Sequence, residues 1–171
     1  MHDLERNMKD GSVTLNGYYP GVIGEIVKLH GSYYHEHWDF DITFEVEVAM
    51  ELAEFMHRFD DGRDGFWAAT SDGRFLGSLS LDGSTAQDEG ARLRWFIVDP
   101  GAQGLGVGTQ LMETALSFAR AKKYEQIYLW TFEGLTSARK IYDRFGFEVI
   151  HQEWMVEWGR ELLQQKLMLA K

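Results

Sequence analysis

The stretch that most constrains this chain is Val98-Asp99-Pro100-Gly101-Ala102-Gln103-Gly104-Leu105-Gly106-Val107-Gly108-Thr109. A strand-like run, Leu93 to Val98, precedes it, and a helical run, Gln110 to Lys122, follows it. A glycine-spaced loop therefore joins the end of a strand to the start of a helix. Asp99-Pro100-Gly101 supplies the turn that ends the strand. The first N–H groups of a helix have no internal acceptor, and the macrodipole adds about half a positive charge there. Such a junction suits an anion, and the absence of a Cβ at Gly104, Gly106 and Gly108 lets a ligand approach the backbone closely. Two well-known phosphate loops are excluded by spacing. A P-loop needs Lys-Ser/Thr after its last glycine, and Val107-Gly108-Thr109 has no lysine; a dinucleotide fingerprint needs Gly-x-Gly-x-x-Gly, and the spacing here is Gly-x-Gly-x-Gly.

Around this loop the chain reads as alternating helices and strands. Ser12 to Asn16 alternates weakly, as an edge strand would. Pro20 suits a first helical turn, and Val22, Ile23, Ile26, Val27 and His30 recur at helical spacing until Gly31, which is expected to stop or bend the helix. Ser32 to Trp38 then reads as an aromatic loop. Asp39 or Asp41 could cap a second helix with the buried stripe Phe44, Val48, Leu52, Phe55 and Phe59. Phe66 to Thr70 and Phe75 to Leu81 form a hairpin around Asp72-Gly73. In the strand Ala91 to Val98, Leu93, Trp95 and Ile97 are expected on one face, with Arg92, Arg94, Phe96 and Val98 on the other. After a strand near Ile127, a short helix carries Ala138, Ile141, Tyr142 and Phe145 on one stripe, with Gly146 as its C-cap. Phe147 to Val156 and Glu161 to Leu169 form a last pair of strands.

Two motifs carry a resemblance. Gln103-x-x-Gly106-x-Gly108, straight after a Val-Asp-Pro strand end, resembles the acyl-CoA pyrophosphate loop of the GNAT N-acetyltransferase superfamily. Ser137 to Phe147 resembles the family's later Ala-x-x-x-Tyr-x-x-x-Gly-Phe motif, and the two matches with the strand between them span residues 91 to 150. More loosely, Gly17-Tyr18-Tyr19-Pro20-Gly21, Leu29-His30-Gly31 and Trp130-Thr131 resemble GNAT domains fused to MarR-type winged-helix regulators. The resemblance implies an α/β (α+β) GNAT fold. Its mixed, mostly antiparallel sheet would have about six to seven strands flanked by about four helices. It would be a single acyl-CoA-binding domain over residues 1–171, with residues 1–11 as a flexible start.

The resemblance also assigns roles. The fourth and fifth strands would splay apart around the acyl-pantetheine arm, held by the backbone of Phe96, Ile97 and Val98. Gln103, Gly104, Leu105, Gly106, Val107, Gly108 and Thr109 would cradle the pyrophosphate, with Ser137 and Arg139, and by the same logic Lys140 and Arg144, near the cofactor. Tyr142 would be the general acid for the departing thiolate and would also contact the cofactor; its spacing fits a core aromatic as well. Where the family often has Asn, seven residues before the Tyr, this chain has Leu135, so backbone groups or Ser137 must substitute. Glu133, Glu36 or His37 would be the base that deprotonates the amine. Tyr33, Tyr34, Glu36, His37, Trp95 and Trp130 would wall the acceptor site. The expected function is an acetyl-CoA-dependent N-acetyltransferase acting on a primary amine of a small molecule or peptide by direct attack on the thioester. The alternative is a non-catalytic acyl-CoA-binding module of a regulatory system.

Composition narrows the partners. A formal net charge of −10 argues against nucleic acid and is consistent with solubility or with a cationic substrate. Acyl-CoA is itself an anion, so its site must be locally electropositive. Zero cysteines exclude disulfides and thiol nucleophiles. His30, His35 and His37 do not share one helical face, so no metal is expected. No 18-residue apolar run marks a membrane span, and a cytoplasmic setting is expected. The resemblance allows a homodimer.

Overall fold

The computed structural model describes residues 11–170, so most of the expected flexible start lies outside the described residues. The strands are β1 (Thr14–Asn16), β2 (Gly65–Ser71), β3 (Arg74–Asp82), β4 (Ala91–Val98), β5 (Gln126–Phe132), β6 (Glu148–Glu157) and β7 (Arg160–Ala170). They form one seven-stranded sheet in the order β1-β2-β3-β4-β5-β7-β6. Only β4 and β5 pair in parallel; every other neighbour is antiparallel. Four helices flank the sheet: α1 (Val22–Trp38), α2 (Ile42–His57), α3 (Val107–Ala121) and α4 (Thr136–Phe145). The expected fold class is the observed one.

Local chemistry explains most boundaries. The Asp41 carboxylate accepts from the Thr43 N–H at 2.9 Å and caps α2. Asp72 and Gly73, at φ 50° and 75°, make the tight left-handed turn that matches strand twist between β2 and β3. At the end of α4 the Phe147 N–H donates to the Tyr142 carbonyl at 3.0 Å, and the Gly146 N–H to Asp143 at 3.1 Å. Gly146 stands at φ 91°, so this is a Schellman stop.

Two expectations fail. Gly31 does not end α1, which continues through the aromatic stretch to Trp38. A Cβ at Gly31 would meet only the Glu45 side chain on α2, and the glycine continues α1 rather than stopping it. The even alternation expected in β4 also breaks. Ser78 pairs with Ile97 but Ser80 pairs with Arg94, so Trp95 and Phe96 together oppose Leu79. Trp95 takes φ 52°, and its carbonyl accepts from the Ser78 hydroxyl at 2.8 Å. This bulge flips the parity. Leu93, Phe96 and Val98 pack with the α3 and α4 core, whereas Trp95 packs with the α1 and α2 core.

The bulge sits where the sheet opens. β4 and β5 are in register only at Ala91–Ile127 and Arg92–Tyr128. Beyond those pairs the edge of β4 that faces β5 has no strand partner among the described residues, and the two strands leave a V-shaped gap, as expected.

Candidate active site

Two cavities open on the gap. One, of about 750 Å³, lies between the β4 edge, the glycine loop and α4. Phe96, Ile97, Val98, Gln103, Gly104, Gly106, Val107, Gly108, Thr109 and Ser137 line it. Among the described residues, the amides of Gly104, Gly106, Val107, Gly108 and Thr109 find no protein acceptor, whereas Gln103 N–H donates to Pro100 and Leu105 N–H to Ala102. Five free donors therefore gather at the N-terminus of α3. Gly104 and Gly106 stand at φ 84° and 77°, and a Cβ on either would project into open space. Gly108 is a packing glycine: a Cβ there would meet Ile141 Cδ1 at 2.7 Å.

The charges agree with an anion site. Lys140 and Arg144 line the cleft, and no carboxylate does. Arg144 also donates to the Thr109 hydroxyl at 2.9 Å, tying α4 to the loop. Local positive potential thus coexists with a net charge of −10. Three expected cofactor residues depart from this picture, one of them Tyr142, which lines only the smaller cavity described below. Arg139 points elsewhere, bonded to Asp143 at 2.7 Å and to Gln165 at 3.3 Å. Leu105 is half exposed and does not line the cleft. Its N–H is also spent within the loop.

The second cavity, of about 240 Å³, lies on the other side of the gap. Its walls include Trp95, Trp130, Trp158, Phe44 and Phe132, and its charged lining is Glu47, Glu51, Glu157, Arg92 and Arg94. The two cavities share Tyr34, Phe96, Leu135 and Ala138 as lining. Tyr142, one helical turn beyond Ala138, lines the smaller one near this junction. Its ring is buried against Phe96 and Phe147, with centroids 5.8 and 6.0 Å away. Its hydroxyl has no protein hydrogen-bond partner among the described residues, and burial pushes the phenol above its ordinary range. A phenol held protonated at a cavity junction is a hydrogen-bond and proton donor. Tyr34 is similarly pushed up, by burial first and then by Tyr142 and Tyr33.

Of the expected acceptor residues, Tyr34, Trp95 and Trp130 line the smaller cavity, while Tyr33 lines the larger cleft. The three expected bases do not come here. Glu36 and His37 are exposed on the last turn of α1, because that stretch is helix rather than loop. Glu133 is exposed and lines a separate pocket with Arg139 and Asp143. Glu47 lines the smaller cavity instead. Burial raises its carboxyl above the usual range, neighbouring Glu51 and Glu157 add to the rise, and the Trp158 indole N–H, donating at 2.7 Å, and the nearby Arg92 guanidinium oppose it. A signal for Glu47 existed: with Glu51 it falls at positions i+3 and i+7 from Phe44, on the flank of the buried stripe. His30 is buried and neutral in the same cavity, its Nδ1 2.8 Å from the Ile26 carbonyl. Among the described residues, no group of three or more His, Asp or Glu side chains is placed to hold a metal, and no helix is long and apolar enough to cross a membrane.

Comparison with known proteins fits this geometry. A family model described as the acetyltransferase (GNAT) family matches residues 26–147. N-acetyltransferase 8B of Homo sapiens is 31% identical over 98 residues, which is 56% of this chain and 43% of that protein. The chain spans less than half the length of the curated relatives it matches. Among solved structures, an acetyltransferase of the GNAT family from Staphylococcus aureus Mu50 superposes with a TM-score of 0.73 at 19% identity, covering 93% of this chain and 99% of that one. The yncA protein of Salmonella typhimurium, solved with its cofactor acetyl-CoA, gives 0.69 at 16% identity, covering 93% and 94%. At these identities the structures speak for the fold.

Proposed function

The chain belongs to the GNAT acetyltransferase family, and from that premise we propose that it is an acetyl-CoA-dependent N-acetyltransferase whose acceptor is a primary amine of a small molecule or peptide. The observation that carries the proposal is the junction at Tyr34, Phe96, Leu135 and Ala138. It joins a cleft lined with free amides and cations to a second cavity holding carboxylates and aromatic rings.

The fit to acetyl-CoA rests on the residues present. The amides of Gly104, Gly106, Val107, Gly108 and Thr109 would hold the diphosphate, with Lys140 and Arg144 beside it. The unpaired edge of β4 at Phe96, Ile97 and Val98 would hold the pantetheine arm, and Ser137 offers a hydroxyl near Leu135. Bound acetyl-CoA supplies an acyl group activated as a thioester. The walls of the smaller cavity would hold the amine so that its nitrogen adds directly to the acyl carbon, the C–N bond forming before the C–S bond breaks and the thiolate leaves. Holding both reactants at one junction supplies much of the rate. Glu47 takes the proton that the ammonium must lose, directly or through one water, and burial, by raising its pKa, makes it a stronger base than an ordinary carboxylate. Tyr142 donates to the departing sulfur. A cytoplasmic setting belongs to this reading, and so does catalysis in place of mere acyl-CoA sensing.

Calorimetry with acetyl-CoA, followed by measurement of free CoA released with a panel of primary amines, tests the proposal. Binding together with turnover of at least one amine is expected. Binding without turnover of any amine would favour a non-catalytic acyl-CoA module, and no binding would refute both.

A further inference from the structure

One half-buried cation, Arg92, has no part in acyl transfer as proposed. Arg92 stands on β4, where the sheet is still closed, paired in register with Tyr128 of β5 and Asp82 of β3. Its side chain lines the smaller cavity. Its Nε is fully buried without a hydrogen-bond partner, and among the described residues none of its nitrogens pairs with a carboxylate. The neighbouring acids are already engaged. Glu51 accepts from Arg94 at 2.7 Å. Asp82 accepts from Arg58 at 3.2 Å, from Arg94 at 3.4 Å and from the Ser84 hydroxyl at 2.7 Å. Glu47 is bonded to Trp158. Arg94, two residues along the same strand, lies over the Trp95 ring at 4.2 Å and adds repulsion.

A guanidinium stays charged at any ordinary pH, and an unpaired buried charge is destabilising. A cavity that keeps one has a use for an anion that arrives with the ligand. The guanidinium fork matches a carboxylate with two parallel hydrogen bonds. We propose that Arg92 binds a carboxylate of the acceptor, so that the substrate is an amino-acid-like molecule carrying an amine and a carboxylate. Its amine lies toward Glu47 and the Tyr142 junction, its carboxylate on Arg92, and its apolar body against Trp95, Trp130 and Trp158.

The inference rests on the acyl-transfer reading but is tested without turnover. The probes are the N-acetyl derivatives of phenylalanine, leucine and methionine and the carboxamide of each. Their binding to the full chain is read by tryptophan fluorescence, since three of the cavity walls are indoles. Each acid is expected to bind about 10- to 100-fold more tightly than its amide, the range of a charge-assisted hydrogen bond. The ratio should collapse toward one in Arg92→Gln and be partly kept in Arg92→Lys, with circular dichroism confirming that both variants fold. Acids that bind no better than amides, acids that do not bind at millimolar concentration, or a ratio unchanged in Arg92→Gln would overturn the inference. Acetyl-CoA calorimetry on the same samples separates this failure from that of the acyl-transfer reading: intact acetyl-CoA binding with no acid preference sinks only the carboxylate site.

Discussion

Replacing Tyr142 with Phe removes one oxygen and leaves the ring. The ring keeps its contacts with Phe96 and Phe147 at 5.8 and 6.0 Å. The hydroxyl bonds to no protein group among the described residues, so its loss leaves no orphaned partner. Stability should therefore change by less than about 1 kcal/mol. Catalysis should not be spared. A positioned acid contributes about 10²- to 10⁴-fold, so kcat should fall by that factor, equivalent to about 3–5 kcal/mol of barrier. Acetyl-CoA affinity should be nearly unchanged, because on the proposed assignment the loop amides, and not Tyr142, hold the diphosphate. The assay is continuous CoA release with a turned-over amine, alongside calorimetry and thermal melts. Because burial raises the phenol pKa, the wild type should keep its donor protonated well past pH 10 and show no alkaline loss from this group. Tyr34→Phe is the companion variant, since Tyr34 lines both cavities. Unchanged turnover in Tyr142→Phe across pH, with a loss in Tyr34→Phe, would refute the assignment and move the donor to α1.

Other consequences follow from neighbouring residues. Glu47→Gln should lower kcat/KM by about 10²-fold or more and abolish its acidic limb; in the wild type that limb should lie above the usual carboxylate range because burial raises this group. His30 is held neutral, its pKa lowered from 6.5 to about 4 by burial. The unfolded chain binds a proton here that the fold refuses, so stability falls as pH drops from 6.5 toward 4, by about 3 kcal/mol in all. Urea midpoints of His30→Phe should lose that part of the pH slope, and a slope equal to wild type would contradict the assignment. Gly106→Ala should weaken acetyl-CoA binding at least about tenfold in calorimetry, because its Cβ enters the cleft and φ 77° costs a non-glycine residue about 1–2 kcal/mol; an unchanged affinity would count against the loop.

What could be read from the sequence was local. The glycine loop, the Asp72-Gly73 hairpin, the Asp41 cap and the Gly146 stop each declare themselves within a few residues, and each appears in place. What escaped depends on distant partners. Gly31 is a breaker in isolation, yet α1 runs through it to Trp38, where the aromatic rings find partners on α2 and β5. Trp95 takes a left-handed φ that no local pattern announces, and with it half of β4 changes face. Arg139 and Lys140 differ by one helical step of about 100°. Arg139 therefore pairs with Asp143 one turn on, while Lys140 and Arg144 share the cleft side. Glu47 and Arg92 look like the solvated flank of a helix and the polar face of a strand until the sheet gap gives them a cavity to line.

Cofactor binding as proposed depends most on five main-chain amides that have no acceptor among the described residues. Titrating ¹⁵N-labelled protein with CoA, and in parallel with S-acetylpantetheine, which lacks the diphosphate, reads those amides directly. CoA should shift Gly104, Gly106, Val107, Gly108 and Thr109 more than any other group of amides, while S-acetylpantetheine shifts Phe96, Ile97 and Val98 and leaves the loop unmoved. If CoA binds and the five loop amides stay where they were, the diphosphate lies elsewhere and the central claim is wrong.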